Sequence, residues 1–526
     1  MPQLRLSLTI SGAVSLGSYE GGALAALLYA VREIASGDDP AVRIDVMSGA
    51  SAGSITALLA ARALLEGHDP GAVMAGAWVR GDSLGRLLGR GTQAPLSIDA
   101  LRQLGCDLLG PGSGEPSPHR QANPVRLSYA LACLRGFEYR LPRLGRDPVH
   151  AYAFTDSFDH VLSPGAPIGS LTGPHGDCPL DAVLASGANE LGFPPYLLNR
   201  ARQWPAYQRH GIDNLPPDPD RSFWYTDGGT LDNEPLGRTL DLTNEVDADD
   251  AASRRLHLLI HPHPTAAVTG RSWANPDVQP TFTQTAVRDL SLHRTQSLYA
   301  DLKRVEKTNS RLAWITALSE RLGAALDQLP AESRAAVMDA LAGAVAEMSD
   351  SAERLREQRT ERAADGGPAG AGRPAPAPGP GDLLSRALHT ASGLAGKQPA
   401  RVDVISPLLL PESRTHSVGR LLSGEVIFHF GGFLDEKARR NDFDLGYRST
   451  LQWLRNGGLA YAGLPADLAG QALAAARDAY HPGDGWKQTG AVTAASLLGR
   501  HPWQAAGLAG RIILVLLHDL FRHPPP

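Results

Sequence analysis

The sequence holds little cysteine. Cys106, Cys133 and Cys178 are its three, an odd number without C-x-x-C spacing, which speaks against a disulfide framework and against a zinc ribbon. Excess charge of either sign is also missing. The 50 basic residues stand against 55 acidic ones, a net charge of −5, so no basic stripe tracks phosphates and nucleic-acid binding is not expected. The N-terminal MPQLRLSLTISG has no charged head followed by a long apolar run, so no secretory signal peptide is expected. No stretch approaches the roughly 18–20 apolar residues that cross a bilayer. The longest late burst, Ile512 to Leu517, is bordered by Arg511 and His518. Internal repeats are absent too. These absences lead to the expectation of a cytoplasmic protein that touches membranes only peripherally.

What is present is the material of a large core. The chain has 526 residues, 43% of them hydrophobic, with 56 Gly and 40 Pro, fractions that exclude a collagen-like or wholly disordered chain. Leu4 to Ile10 reads as a buried strand, Ser11 to Gly17 as a small-residue loop, and Tyr19 to Glu33 as a helix. A second strand, Arg43 to Met47, runs into Ser48-Gly49-Ala50-Ser51-Ala52-Gly53, and a helix continues through Leu65. Strand, tight loop and helix in immediate repetition point to a βαβ layer with a mainly parallel sheet. His150 to Thr155, Phe223 to Thr226, Leu256 to Ile260 and Val402 to Ile405 have the look of further short strands. A helical region, about 281–398, separates the last two, and in it Val337, Leu341, Val345 and Met348 paint one helix face. Within that region the Pro/Gly-rich stretch 364–381 reads as a linker. A similar loop spans Gly110 to Pro118.

Gly49-Ala50-Ser51-Ala52-Gly53 matches G-x-S-x-G. The pattern alone is weak, but a buried strand before it and a helix after it make it a sharp turn with Ser51 at the apex. Gly49 and Gly53 suit such a turn because a Cβ there would collide with backbone. The helix behind Ser51 aims its N–H groups and dipole at developing negative charge. A nucleophilic serine needs a base and an oxyanion hole. His261 or His263 would complete a Ser-His-Asp triad, but only one strand precedes the strand leading to Ser51, which fits an α/β-hydrolase sheet poorly. A Ser-Lys pair lacks a lysine near the turn. A carboxylate acting directly on the serine remains. Of two Asp-Gly-Gly tripeptides, Asp365-Gly366-Gly367 lies in the linker, whereas Asp227-Gly228-Gly229 ends the apolar Phe223-Trp224-Tyr225-Thr226. Asp227 is therefore the candidate base, against the plainer reading of an acid that only caps a turn.

A glycine-bearing loop after strand one, an early G-x-S-x-G, and D-G-G followed by Asn233-Glu234-Pro235 resemble the marks of patatin-like phospholipases. Ala185-Ser186-Gly187-Ala188 leading to Phe193-Pro194-Pro195 is similar to another segment of that family. Gly431-Gly432-Phe433-Leu434-Asp435 with Asn441-Asp442-Phe443 and Gly446 is similar to a downstream segment of a bacterial subset. The resemblance spans about 4–236 and, more weakly, reaches about 450. It implies a three-layer α/β/α fold and a lipolytic serine acyl hydrolase acting on lipid or phospholipid acyl esters. Ser51 would be the nucleophile, Asp227 its base without a histidine, and Gly12, Ala13 and Val14 the oxyanion loop. No cofactor and no metal is implied. The catalytic domain would run over about 1–410, with 281–398 inserted as packing, lid or membrane-docking surface, and 411–526 would be a mostly helical extension.

The loop departs from the family's G-G-G-x-R-G, reading Gly12-Ala13-Val14-Ser15-Leu16-Gly17. Val14 is expected to resist a positive φ, and Leu16 takes the place of the family arginine. Two alternatives follow: a non-catalytic scaffold that keeps the fold, or a thioesterase or carboxylesterase that does not act on membranes. The acidic groups Asp156 with Asp159 and Asp247 with Asp249 and Asp250 lack a metal-binding pattern. The first loop also lacks G-K-[ST] or G-x-G-x-x-G, which speaks against a nucleotide cradle. Arg439, Arg440 and Arg511 are candidates for headgroup contact, with solvated surface as the plainer reading.

Overall fold

The computed structural model describes residues 3–36, 40–81, 83–88, 94–110, 119–143, 146–173, 176–209, 212, 215, 221–247, 254–262, 279, 281–360, 380–394, 397–425, 430–481 and 501–522. His263, Asp249, Asp250, Asp365-Gly366-Gly367, and most of the expected linker and of the Gly110–Pro118 loop lie outside these residues.

Every residue of β1 (Leu4–Ile10) is buried, as expected of a parallel strand covered on both faces. Leu4, Leu6, Leu8 and Ile10 join one apolar core with the helices α1 (Gly17–Val31) and α2 (Ala52–Glu66). Ser7 and Thr9 alternate with them and find polar partners: Ser7 Oγ meets His257 Nδ1 at 2.7 Å, and Thr9 meets Thr239, on the helix Leu236–Val246, at 2.7 Å. The two sets mark the two helical layers on either side of the sheet. Around β1 run the parallel strands β2 (Val42–Gly49), β3 (Val125–Arg143), β7 (Arg254–Ile260) and β8 (Val402–Ile405), in the order β3-β2-β1-β7-β8. The fold is three-layer α/β/α with a mainly parallel centre.

Three antiparallel strands extend it: β4 (Arg146–Leu162), β5 (Tyr196–Asn199) and β6 (Ser222–Asp227). β4 fills one edge of β3 from Val125 to Ala132. On the other edge, β2 pairs with Arg126–Tyr129 and β6 with Leu131–Cys133. Since β2 is parallel and β6 antiparallel to β3, the two approach head-on along one rail, and their C-terminal ends meet opposite Ala130. Gly228 allows this closeness, because a Cβ there would lie 1.9 Å from the Ala130 carbonyl oxygen.

The helices Phe282–Asp327, Ala331–Thr360 and Pro380–Ala391 lie between the paired strands β7 and β8. The first reaches the helix Leu236–Val246, where Asp301 accepts the Gly237 N–H at 2.6 Å. Val337 is 38% exposed, so the apolar stripe of the second is not a fully buried face. The helix Glu436–Arg455 crosses α1 at glycine contacts: a Cβ on Gly22 would lie 1.9 Å from the Phe443 carbonyl, and one on Gly446 1.9 Å from that of Tyr19. The helical segment Val14–Val31 has the length and mean apolarity of a membrane span, but 94% of it is buried within the protein, as in a core helix. Its Gly and Ala content serves close packing against the sheet and neighbouring helices.

Candidate active site

The chain leaves β2 through Ser51, whose backbone takes φ 52° and ψ −125° before α2 begins at Ala52. A non-glycine residue in this region stores strain of about 1–3 kcal/mol and presents its side chain at the apex of the turn. The flanking glycines are required sterically. A Cβ on Gly49 would sit 2.4 Å from the Gly53 carbonyl oxygen, and one on Gly53 2.4 Å from that of Ile10.

Asp227 ends β6 and is 1% exposed. Ser51 Oγ donates to its Oδ2 at 2.9 Å. Asn189 Nδ2 donates to the same oxygen at 3.1 Å, and the Gly229 N–H donates to Oδ1 at 2.8 Å. The D-G-G turn thus serves three ends: Asp227 faces the serine, Gly228 fits under β3, and Gly229 fixes the carboxylate's second oxygen. Sequence reasoning missed Asn189 and Ser186. Ser186 Oγ accepts the Ser51 N–H at 2.9 Å and meets Ser54 Oγ at 2.8 Å. Both residues fall in or beside the Ala185–Ala188 segment, which was the available signal.

The loop after β1 faces the same point. A Cβ on Gly12 would lie 3.2 Å from Ser51 Cβ. Of the three expected oxyanion donors, Gly12 has its N–H occupied by the Asn233 carbonyl at 2.8 Å. The Ala13 and Val14 N–H groups have no acceptor among the described residues. Val14 adopts φ 52°, the region it was expected to resist. Packing holds it there: Val14 is buried in a cluster with Leu84, Leu87, Leu96, Phe193, Phe433 and Leu434. The following residue is pinned as well. Ser15 Oγ accepts the Gly432 N–H at 3.1 Å. Asp442 Oδ atoms accept the N–H groups of Ser423 and Gly424, each at 2.7 Å. Gly431–Asp435 and Asn441–Asp442 therefore act as a brace behind the loop.

Beneath the loop Glu20 is fully buried, and burial pushes its carboxyl well above the ordinary carboxylate range. The hydroxyls of Ser11 and Thr56, each 3.5 Å away, pull weakly the other way. His261 is buried with Nε2 3.9 Å from Glu234 Oε1, and burial lowers its pKa to about 4. The partner of Ser51 is a carboxylate, not this imidazole.

The other sequence candidates have structural partners. Asp156 accepts from Tyr207 at 2.6 Å and Tyr225 at 2.7 Å and pairs with the buried Arg200 at 3.2 Å. Asp159 pairs with Arg238, and Asp247 with Arg5 and Arg255. Among the described residues no group of three or more His, Cys, Asp or Glu is placed to hold a metal. Arg439 is not a headgroup contact or a solvated surface residue: it is 3% exposed and donates to the carbonyls of Val79 and Gly432. Arg440 pairs with Glu436.

No protein-family model matches the chain, and no curated protein matches it. Among solved structures, VipD from Legionella pneumophila is similar over 100% of this chain and 93% of its own, at 11% identity and a TM-score of 0.21. That likeness is weak, and the site rests on its own geometry.

Proposed function

We propose that this chain is a patatin-like serine acyl hydrolase that cleaves acyl esters of lipids through a Ser51–Asp227 dyad. The observation that carries the reading is the 2.9 Å hydrogen bond from a strained, buried Ser51 to a buried Asp227. Asp227 takes the serine proton as Oγ attacks the ester carbonyl. The N–H groups of Ala13 and Val14 receive the oxyanion, a contribution of about 3–4 kcal/mol per well-aimed donor. Collapse of the adduct leaves an acyl-Ser51, and the departing alcohol regains its proton from Asp227. Water activated by Asp227 then attacks the acyl-serine, and the fatty acid leaves. Asn189 and Gly229 orient the carboxylate, leaving Oδ2 in line with Ser51. The catalytic unit includes the brace formed by Ser423, Gly424, Gly432 and Asp442 and so extends past residue 410. Substrate reaches the site from a membrane surface that the protein touches peripherally.

The test is hydrolysis of p-nitrophenyl esters and of phospholipid vesicles by wild type, Ser51→Ala and Asp227→Asn. Each substitution is expected to lower kcat by at least about a thousandfold, with folding retained. Full activity in folded Ser51→Ala contradicts the reading. The scaffold alternative draws on Val14 standing at a positive φ in the oxyanion loop, and a wild type that is folded yet inert on every ester favours it.

A further inference from the structure

One apolar pocket adjoins the nucleophile helix and has no part in the chemistry above. It lies, partly open to solvent, between α2, the helix Ile98–Leu109 and the helix Pro179–Ser186, with a cavity volume of about 40 Å³. Its lining side chains are those of Ile, Leu, Val, Ala and Trp78, and Trp78 Nε1 is buried with no hydrogen-bond partner among the described residues. A charged or hydroxylated group would lose its water there without compensation, whereas a methylene chain would gain.

Two links tie the pocket to Ser51. Ile55 lines it one helical turn beyond Ser51, a rise of about 6 Å along α2. Val183 and Leu184 line it from the helix whose last residue, Ser186, accepts the Ser51 N–H. A third link reaches the oxyanion loop. Leu101 lines the pocket and also packs against the cluster holding Val14 and Phe193. Trp78 also lines it, its ring seated on Gly17 and Gly21 of α1, where a Cβ would come within 2.4 and 2.9 Å.

We propose that this pocket receives the acyl chain of the substrate and sets chain-length preference; the assignment rests on the hydrolase reading above. An acyl group held at Ser51 must run about one helical turn before reaching Ile55, so acetyl esters stop short of the pocket and medium-chain esters enter it. Within the pocket each added methylene raises kcat/KM about fourfold until the space is filled.

The experiment is a series of p-nitrophenyl esters from acetate to dodecanoate, assayed with wild type, Leu104→Trp and Leu104→Ala. Leu104 is half-buried on the pocket wall, so its enlargement is tolerated better than a change in the core. Leu104→Trp is expected to lower the octanoate-to-acetate ratio of kcat/KM at least tenfold, and Leu104→Ala to move the optimum to longer chains. The ratio isolates chain binding, since a general structural defect lowers all esters together. If Leu104→Trp does not fold, Leu104→Ala still reads the proposal with the opposite sign. In parallel, dodecanoate binding to Ser51→Ala is measured with and without Leu104→Trp. Weaker dodecanoate binding in the double variant, with no ester cleaved by wild type, upholds the pocket and defeats the hydrolase reading. Ester cleavage with an unmoved ratio and unchanged dodecanoate binding overturns the pocket.

Discussion

Ser51 and Asp227 are 176 residues apart in the chain yet share a hydrogen bond because their strands end face to face on one edge of β3. β2 delivers the serine, β6 delivers the aspartate, and Ala130 marks the gap between them. The dyad is therefore a property of strand order, with the two loops short and rich in glycine so that neither side chain is displaced.

Asn189 is expected to position Asp227 without touching substrate. Its amide donates to the oxygen that also receives Ser51. Asn189→Ala should lower kcat about tenfold to a hundredfold, the worth of one hydrogen bond to a charged group, and leave KM within about twofold. Asn189→Asp should be worse, since it sets a second carboxylate against the first. Steady-state kinetics on a soluble ester checks this, and an unchanged kcat in folded Asn189→Ala refutes it.

Val14 reverses the usual order of helix- and loop-forming residues. At φ 52° any Cβ costs about 1–2 kcal/mol relative to glycine, while the Val14 side chain contributes apolar burial of similar size. Val14→Gly should therefore sit within about 1 kcal/mol of wild type. Val14→Ala loses the packing and keeps the strain, so it should be the less stable of the two by about 1 kcal/mol. Urea unfolding of both variants decides it, and Val14→Ala being the more stable contradicts the assigned backbone.

The sequence exposes the fold unevenly. β1, β2, β6, β7 and β8 were legible because each is a short apolar run bounded by turns. β3 was not recognised, although Val125, Leu127, Tyr129, Leu131 and Cys133 alternate with period two and are all buried. Its continuation into a long hairpin with exposed Leu134, Tyr152 and Phe154 hides that rhythm. Ser51 and Asp227 could be singled out because their flanking glycines are a local steric requirement. Asn189 could not, since its role exists only once β6 lies beside the Ala188 carbonyl, which accepts the Asp227 N–H at 3.0 Å. The brace was visible as a motif but its purpose was not, because Gly432 and Ser15 are 417 residues apart.

Stability should depend on pH with two opposed signs. His257 is buried, and burial lowers its pKa to about 3. The unfolded chain, with an ordinary histidine near 6.5, binds the extra proton between those values. The His257 contribution is thus complete above about pH 6.5 and lost as pH falls, by up to about 1.4 kcal/mol per unit. Burial, helped by Asp301, raises Asp232 to about 7. There the folded state holds the extra proton, so the penalty grows as pH rises from about 4 to 7. Relative to His257→Gln, wild type should gain stability from pH 4 to 6.5, and relative to Asp232→Asn it should lose stability over the same range. Parallel unfolding curves at several pH values test both signs, and equal slopes in all three proteins contradict them.

The most direct measurement of the central claim is capture by a fluorophosphonate probe, with the adduct located by peptide mass spectrometry. The dyad predicts a single adduct on Ser51 in wild type, none in Ser51→Ala, and labelling slowed at least about a hundredfold in Asp227→Asn. A folded wild type that takes no label, or an adduct on a serine other than Ser51, contradicts the account.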